Sequence, residues 1–174
     1  MVRVLLAALL LSSSFLAAAA SLKPWSGGRT PPLQLADPDG VAHRLADYRG
    51  KVVLVNFWAT WCAPCRAEMP SIERLRQALE GRPFVVLAVN VGENPGAARS
   101  FAEKLPVRFP ILLDRDLSVA KAWGAKLLPA TFLVGPDGAI KYTYLGDLDW
   151  SGPEARGAIE ALMPREGMRA QLER

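Results

Sequence analysis

The sequence predicts an α/β domain in which helices flank a central mixed β-sheet, and three segments carry that reading. "VVLVNFW" (52–58) and "FVVLAVNV" (84–91) are nearly unbroken apolar runs, rich in β-branched and aromatic residues, as strands covered on both faces are. Between them Cys65, Glu68 or Met69, Ile72, Leu75 and Leu79 form a helical stripe, opposed by Arg66, Glu73, Arg76 and Glu80. "ATFLVGPDGAIKYTYLG" (130–146) reads as a hairpin turned at Pro136-Asp137-Gly138. A strand-helix-strand unit brings parallel pairing and a hairpin brings antiparallel pairing, so the sheet is mixed.

The remaining elements follow in order along the 174 residues. Residues 1–20, with Arg3, an apolar stretch and Ala18, Ala19 and Ala20, read as a secretory signal; the alternative is an uncleaved membrane anchor, although Ser12, Ser13 and Ser14 interrupt the apolar run. No cysteine follows that run to carry a lipid. Residues 21–32, "SLKPWSGGRTPP", read as a linker, 33–166 as the domain and 167–174 as a tail. Asp37-Pro38-Asp39-Gly40 turns a first, N-terminal hairpin. Asn56 is the one polar residue in "VVLVNFW". The helix after Cys62 takes Pro64 in its first turn and meets a predicted kink at Pro70; Gly81 and Pro83 then mark the crossover. Pro95 opens a helix in "NPGAARSFAEKL", "FPILLD" is a short strand, "DLSVAKAWG" is a helix stopped by Gly124, and a last helix lies near 153–163.

Composition narrows the function. At 51% hydrophobic the chain buries one substantial core, and its +4 charge is spread without a basic block, which argues against a nucleic-acid partner. An exported protein keeps disulfides, yet Cys62 and Cys65 are the only cysteines, too few for a stapled scaffold and too close to constrain much of the unfolded chain. Zinc needs two more ligands, with only His43, expected at the surface, in reserve, and Arg66 after Cys65 rules out c-type haem attachment. A reactive dithiol remains. At a helix start the free N–H groups and positive dipole end favour a Cys62 thiolate, while Cys65, one i,i+3 step on, turns inward. Arg66 receives no role, and packing alone accounts for Trp58 or Trp61. Glu68 shares the inner face with Cys65 if Met69 does not fill it, and spacing leaves both arrangements open.

"VNFWATWCAPCRAEMP", "NVGENPGAARSFAEKLPVRFPILLD" and "LLPATFLVGPDGAIKYTYLG" resemble the TlpA/ResA branch of the thioredoxin superfamily, among the redoxin and AhpC/TSA-like domains, over residues 30 to 163. The resemblance implies a thioredoxin-like fold with a strand-helix insertion from Pro95 to about Gly124, and extracytoplasmic, periplasmic thiol-disulfide oxidoreductase activity. It implies that Cys62 attacks and Cys65 resolves, that Glu68 assists proton movement, and that Trp61 borders the substrate surface. Pro129 would be cis beside the dithiol, with Leu128 offering backbone groups to an extended substrate. It further implies protein disulfide substrates and a membrane thiol electron donor, no cofactor, and membrane contact only through residues 1–20. Asn56 stands where plain thioredoxins carry a buried acid. Ala130 replaces the acid found after the cis-proline in cytochrome-maturation thioredoxins, which weakens dedicated apocytochrome c reduction; support of cytochrome c or metal-centre assembly stays an expectation. Other readings are a disulfide-donating oxidase, a peroxiredoxin, whose pocket "TWCAPC" does not reproduce, and a Sco-type copper chaperone, which uses CxxxC and a later histidine.

Overall fold

The computed structural model describes residues 22–105 and 107–164. The expected signal at 1–20 and the tail at 167–174 lie outside the described residues. A six-stranded sheet has the order β1-β8-β7-β4-β5-β6, from β1 (Lys23–Pro24), β4 (Val52–Trp58), β5 (Phe84–Val91), β6 (Ile111–Asp114), β7 (Ala130–Val134) and β8 (Ile140–Leu145). β4, β5 and β6 are parallel; β7 pairs antiparallel with β4 and with β8, and β1 antiparallel with β8. The expected N-terminal hairpin, β2 (Gln34–Ala36) and β3 (Ala42–Arg44), forms a separate two-stranded sheet.

Every residue of β4 is buried, as its continuous apolar run requires of a strand with neighbours on both sides. Helix α1 (Ala63–Ala78) follows it and continues unbroken through Pro70. Helices α2 (Pro95–Ala102) and α3 (Ser118–Trp123) flank β6 and make up the expected insertion; α4 (Pro153–Leu162) closes the domain. Phe57, Trp123 and Phe132 pack mutually with ring centroids 5.2 to 5.7 Å apart, tying β4, α3 and β7 into one core.

Three local expectations change. The predicted linker is stitched to the domain from residue 22 onward: β1 pairs with β8, Trp25 packs edge-on against Phe132, and Thr30 Oγ accepts from the Ile140 N–H at 2.8 Å. Periodicity places Glu73 on the polar face, yet it is buried, where its carboxylate accepts from Arg76, Gln77 and the Arg108 N–H and ties α1 to the approach to β6. Burial works to raise the Glu73 pKa, but those donors outweigh it and hold the group below its ordinary value. His43 is half-buried, within hydrogen-bond distance of the Tyr48 hydroxyl (2.8 Å) and of Asp37 (3.4 Å), and not a free surface residue.

Candidate active site

β4 ends at Trp58, and the chain turns at once, the Cys62 N–H donating to the Ala59 carbonyl at 3.1 Å. Cys62 is the N-cap of α1, in extended conformation (φ −82°, ψ 104°), with Pro64 inside the first turn where its missing N–H costs nothing. Its Sγ accepts from the Cys65 N–H at 3.3 Å, so the sulfur stands where a serine or aspartate oxygen caps other helices. Cys62 and Cys65 are joined by a disulfide, with Cα atoms 5.3 Å apart. Cys62 keeps 5% exposure and Cys65 none.

The side chains flanking the pair divide by exposure. Trp61 stands 68% exposed beside Cys62, whereas Trp58 is fully buried against Phe101 with ring centroids 4.7 Å apart, so only Trp61 rims the site. Arg66, given no role by the sequence, donates from Nη1 to the Thr60 carbonyl at 2.6 Å and braces the turn before Cys62. The Leu128–Pro129 bond is cis, as the resemblance implies, and Ala130 pairs with Phe57, which sets Pro129 alongside the end of β4. Pro129 is buried and Leu128 half-buried. The Pro129 carbonyl accepts from the Gly146 N–H at 2.9 Å.

Glu68 takes the inward arrangement, and Met69 is buried beside it without displacing it into water: their exposures are 3% and 1%. Glu68 Oε1 accepts from Asn56 Nδ2 at 2.8 Å, and Oε2 from Trp150 Nε1 at 3.0 Å and the Leu148 N–H at 3.3 Å. Asn56 also donates to Thr131 Oγ1 at 2.9 Å, which explains the one polar residue in the central strand. Burial pushes the Glu68 pKa up to about 7 against the hydrogen bonds from Trp150, Asn56 and Leu148, with Asp147 adding to the rise. Trp150, Leu148 and Ser71, which donates to the Leu148 carbonyl at 3.2 Å, carried no sequence signal; they belong to the β8–α4 loop and to the flank of α1.

This burial makes stability depend on pH. A folded pKa near 7 against an unfolded value near 4.5 means that the native state holds the extra proton between them. The stabilisation is complete below pH 4.5 and is lost as pH rises through 7, about 3 kcal/mol in all. Urea unfolding of the oxidised protein from pH 4.5 to 8.5 should show this decline. Glu68→Gln should flatten it; a decline of equal size in both proteins would assign it to other groups.

The comparisons with known proteins agree with this geometry. The family model described as Redoxin matches residues 25–161. Thiol-disulfide oxidoreductase ResA of Geobacillus thermodenitrificans is 43% identical over 138 residues, covering 79% of this chain and 78% of that protein. ResA of Bacillus subtilis (strain 168) is 36% identical over 122 residues, covering 70% and 68%. The crystal structure of a Chlorobium tepidum protein assigned as thiol:disulfide interchange protein DsbE superposes with TM-score 0.68 at 28% identity, over 82% of this chain and 96% of that one. The thioredoxin domain of a Bacteroides vulgatus thiol-disulfide oxidoreductase gives 0.70 at 24% identity, over 80% and 99%, a likeness of fold. With the dithiol at a helix start, a thioredoxin-like sheet and these relatives, the chain belongs to the redoxin family as a ResA-like thiol-disulfide oxidoreductase.

Proposed function

We propose that the chain reduces protein disulfides outside the cytoplasmic membrane, with Cys62 attacking, Cys65 resolving and Glu68 accepting the Cys65 proton. The observation that carries this reading is the buried carboxylate of Glu68, on the same helix as Cys65 and held at a pKa of about 7. In the reduced protein the Cys62 thiolate attacks one sulfur of the substrate disulfide. That bond breaks, its other sulfur leaves and takes a proton, and a mixed disulfide forms. Cys65 then passes its proton to Glu68 and attacks Cys62 Sγ, releasing the second substrate thiol, which is protonated as the Cys62–Cys65 bond closes. A thiol donor, which we take to be a membrane relay, resets the pair.

Substrate docking is assigned to Trp61, Leu128 and Pro129. Trp61 supplies exposed aromatic area, and among the described residues no hydrogen bond engages the Leu128 N–H or carbonyl, which suits pairing with an extended chain. Residues 1–20 support export, by cleavage or as an anchor; among the described residues no helix is long and apolar enough to cross a membrane. Ala130, in place of an acid, favours a broader range of disulfides than apocytochrome c alone, and cytochrome c or metal-centre assembly is one setting for the reaction.

The direction is tested by potential. A buried carboxylate near the pair disfavours thiolates and so the reduced state, placing the potential nearer thioredoxin's roughly −270 mV than the oxidase value of about −120 mV. Titration against glutathione and dithiothreitol buffers checks this. A value at the oxidising end would make the protein a disulfide donor, and partners trapped on Cys65→Ser in the exported compartment would name its substrates.

A further inference from the structure

We infer that Glu93 is a positioning residue for the redox pair: its carboxylate clamps the turn that carries Trp61 and Cys62, fixing where the attacking sulfur meets a protein substrate. The inference rests on the reductase reading above. Thr60 and Trp61 are the two central residues of the Ala59–Cys62 turn. Glu93 Oε2 accepts from the Thr60 N–H at 2.7 Å, and Oε1 accepts from the Thr60 hydroxyl at 2.5 Å. Arg66 Nη1 holds the Thr60 carbonyl at 2.6 Å. Every polar group of Thr60 is therefore held by a charged side chain from another element, two residues ahead of Cys62.

Glu93 is itself rigidly placed. Gly92, at φ +70°, turns the chain at the end of β5, with its N–H on the Asp114 carbonyl, and Asn94 caps α2 immediately afterwards through the Ala97 N–H. Glu93 Oε2 also accepts from Nδ2 of buried Asn90, the register partner of Trp58, so the clamp is anchored on the sheet that launches the active-site turn. All three groups facing the carboxylate are donors. An amide in its place can turn its NH2 only toward the Thr60 hydroxyl, which also accepts, but it removes the negative charge that strengthens all three bonds, so Gln keeps the size and loosens the grip.

The pinned turn sets the stance of Trp61, which a protein substrate meets and a small disulfide does not. Glu93→Gln in the full chain should lower kcat/KM for insulin disulfides about tenfold and the rate with oxidised glutathione less than about twofold, with the Cys62 thiolate titration unmoved. Thr60→Val should show part of the same selective loss, Thr60→Ser should restore it, and the Glu93→Gln/Thr60→Val double variant should be no worse than Glu93→Gln alone. If Glu93→Gln does not fold, the contrast between Thr60→Val and Thr60→Ser decides. Equal losses on both substrates that track a lowered unfolding midpoint would reduce Glu93 to a structural residue, and a lowered Cys62 pKa with faster glutathione reduction would make it an electrostatic one; either overturns the inference. Insulin turnover by Glu93→Gln within twofold of an active wild type overturns it alone. A wild type inert toward both disulfides overturns the reductase reading and the inference with it.

Discussion

Cys62→Ser should bring insulin-disulfide reduction down to the buffer background, while Cys65→Ser should retain the attacking step and accumulate mixed disulfides that never resolve. The asymmetry comes from the helix start. Cys62 occupies the N-cap, where the Cys65 N–H points at its sulfur and the dipole favours a thiolate; Cys65 lies inside the first turn, fully buried. Resolution by Cys65 is intramolecular and follows attack. Alkylation of the reduced protein near neutral pH, read by mass spectrometry, should therefore modify Cys62 first. Modification of Cys65 alone would reverse the roles.

Glu68→Gln should slow resolution of a model mixed disulfide about 10²-fold, the lower end of what a positioned general base contributes. The same change removes a carboxylate that, when ionised, repels a neighbouring thiolate, so at least one cysteine pKa should fall even as the Cys65-dependent step slows. These opposite signs separate a proton acceptor from a packing residue. Stopped-flow resolution from pH 5 to 9, paired with thiolate absorbance, gives both quantities, and the groups are to be fitted as one coupled set. Rates and titration curves unchanged from wild type would remove Glu68 from the mechanism. Gln also presents an NH2 where Asn56, Trp150 and Leu148 all donate, so thermal unfolding of the oxidised variant is the companion measurement.

Much of this arrangement was legible in the sequence because hydrophobic period and punctuation are local signals. The runs at 52–58 and 84–91 mark the central strands, Cys62 ahead of Pro64 marks a helix start, and the Asp-Gly turns mark both hairpins. What stayed hidden depends on contacts between distant segments. Glu73 counts as polar by period, and its burial is made tolerable by Arg76 and Gln77 on its own helix together with the Arg108 N–H arriving from the approach to β6, the part no local pattern could show. Asn56 looks like an interruption until Glu68 and Thr131 converge on it from a helix and a neighbouring strand. The bond from Thr60 to Glu93 joins two loops, and that from Trp150 to Glu68 brings a loop onto helix α1, and the composition of those loops says only that they are loops. Lys23 and Pro24 sit in a Pro/Gly/Ser-rich stretch that reads as linker, and β8 recruits them as a strand.

That two-residue strand also bears on how the sheet protects its edge from strand addition. A sheet that ends in unpaired backbone invites other chains to add themselves as an extra strand. Here β8 does not end the sheet: Lys23 lies opposite Thr143, Pro24 opposite Tyr142, and the Trp25 N–H continues the seam to the Lys141 carbonyl at 2.9 Å. The new margin is short, carries a positive charge, and at Pro24 has no N–H to offer. Such a border is a poor template for strand addition along the β8 side of the sheet, where two residues, one of them a proline, do the work of a longer protective strand.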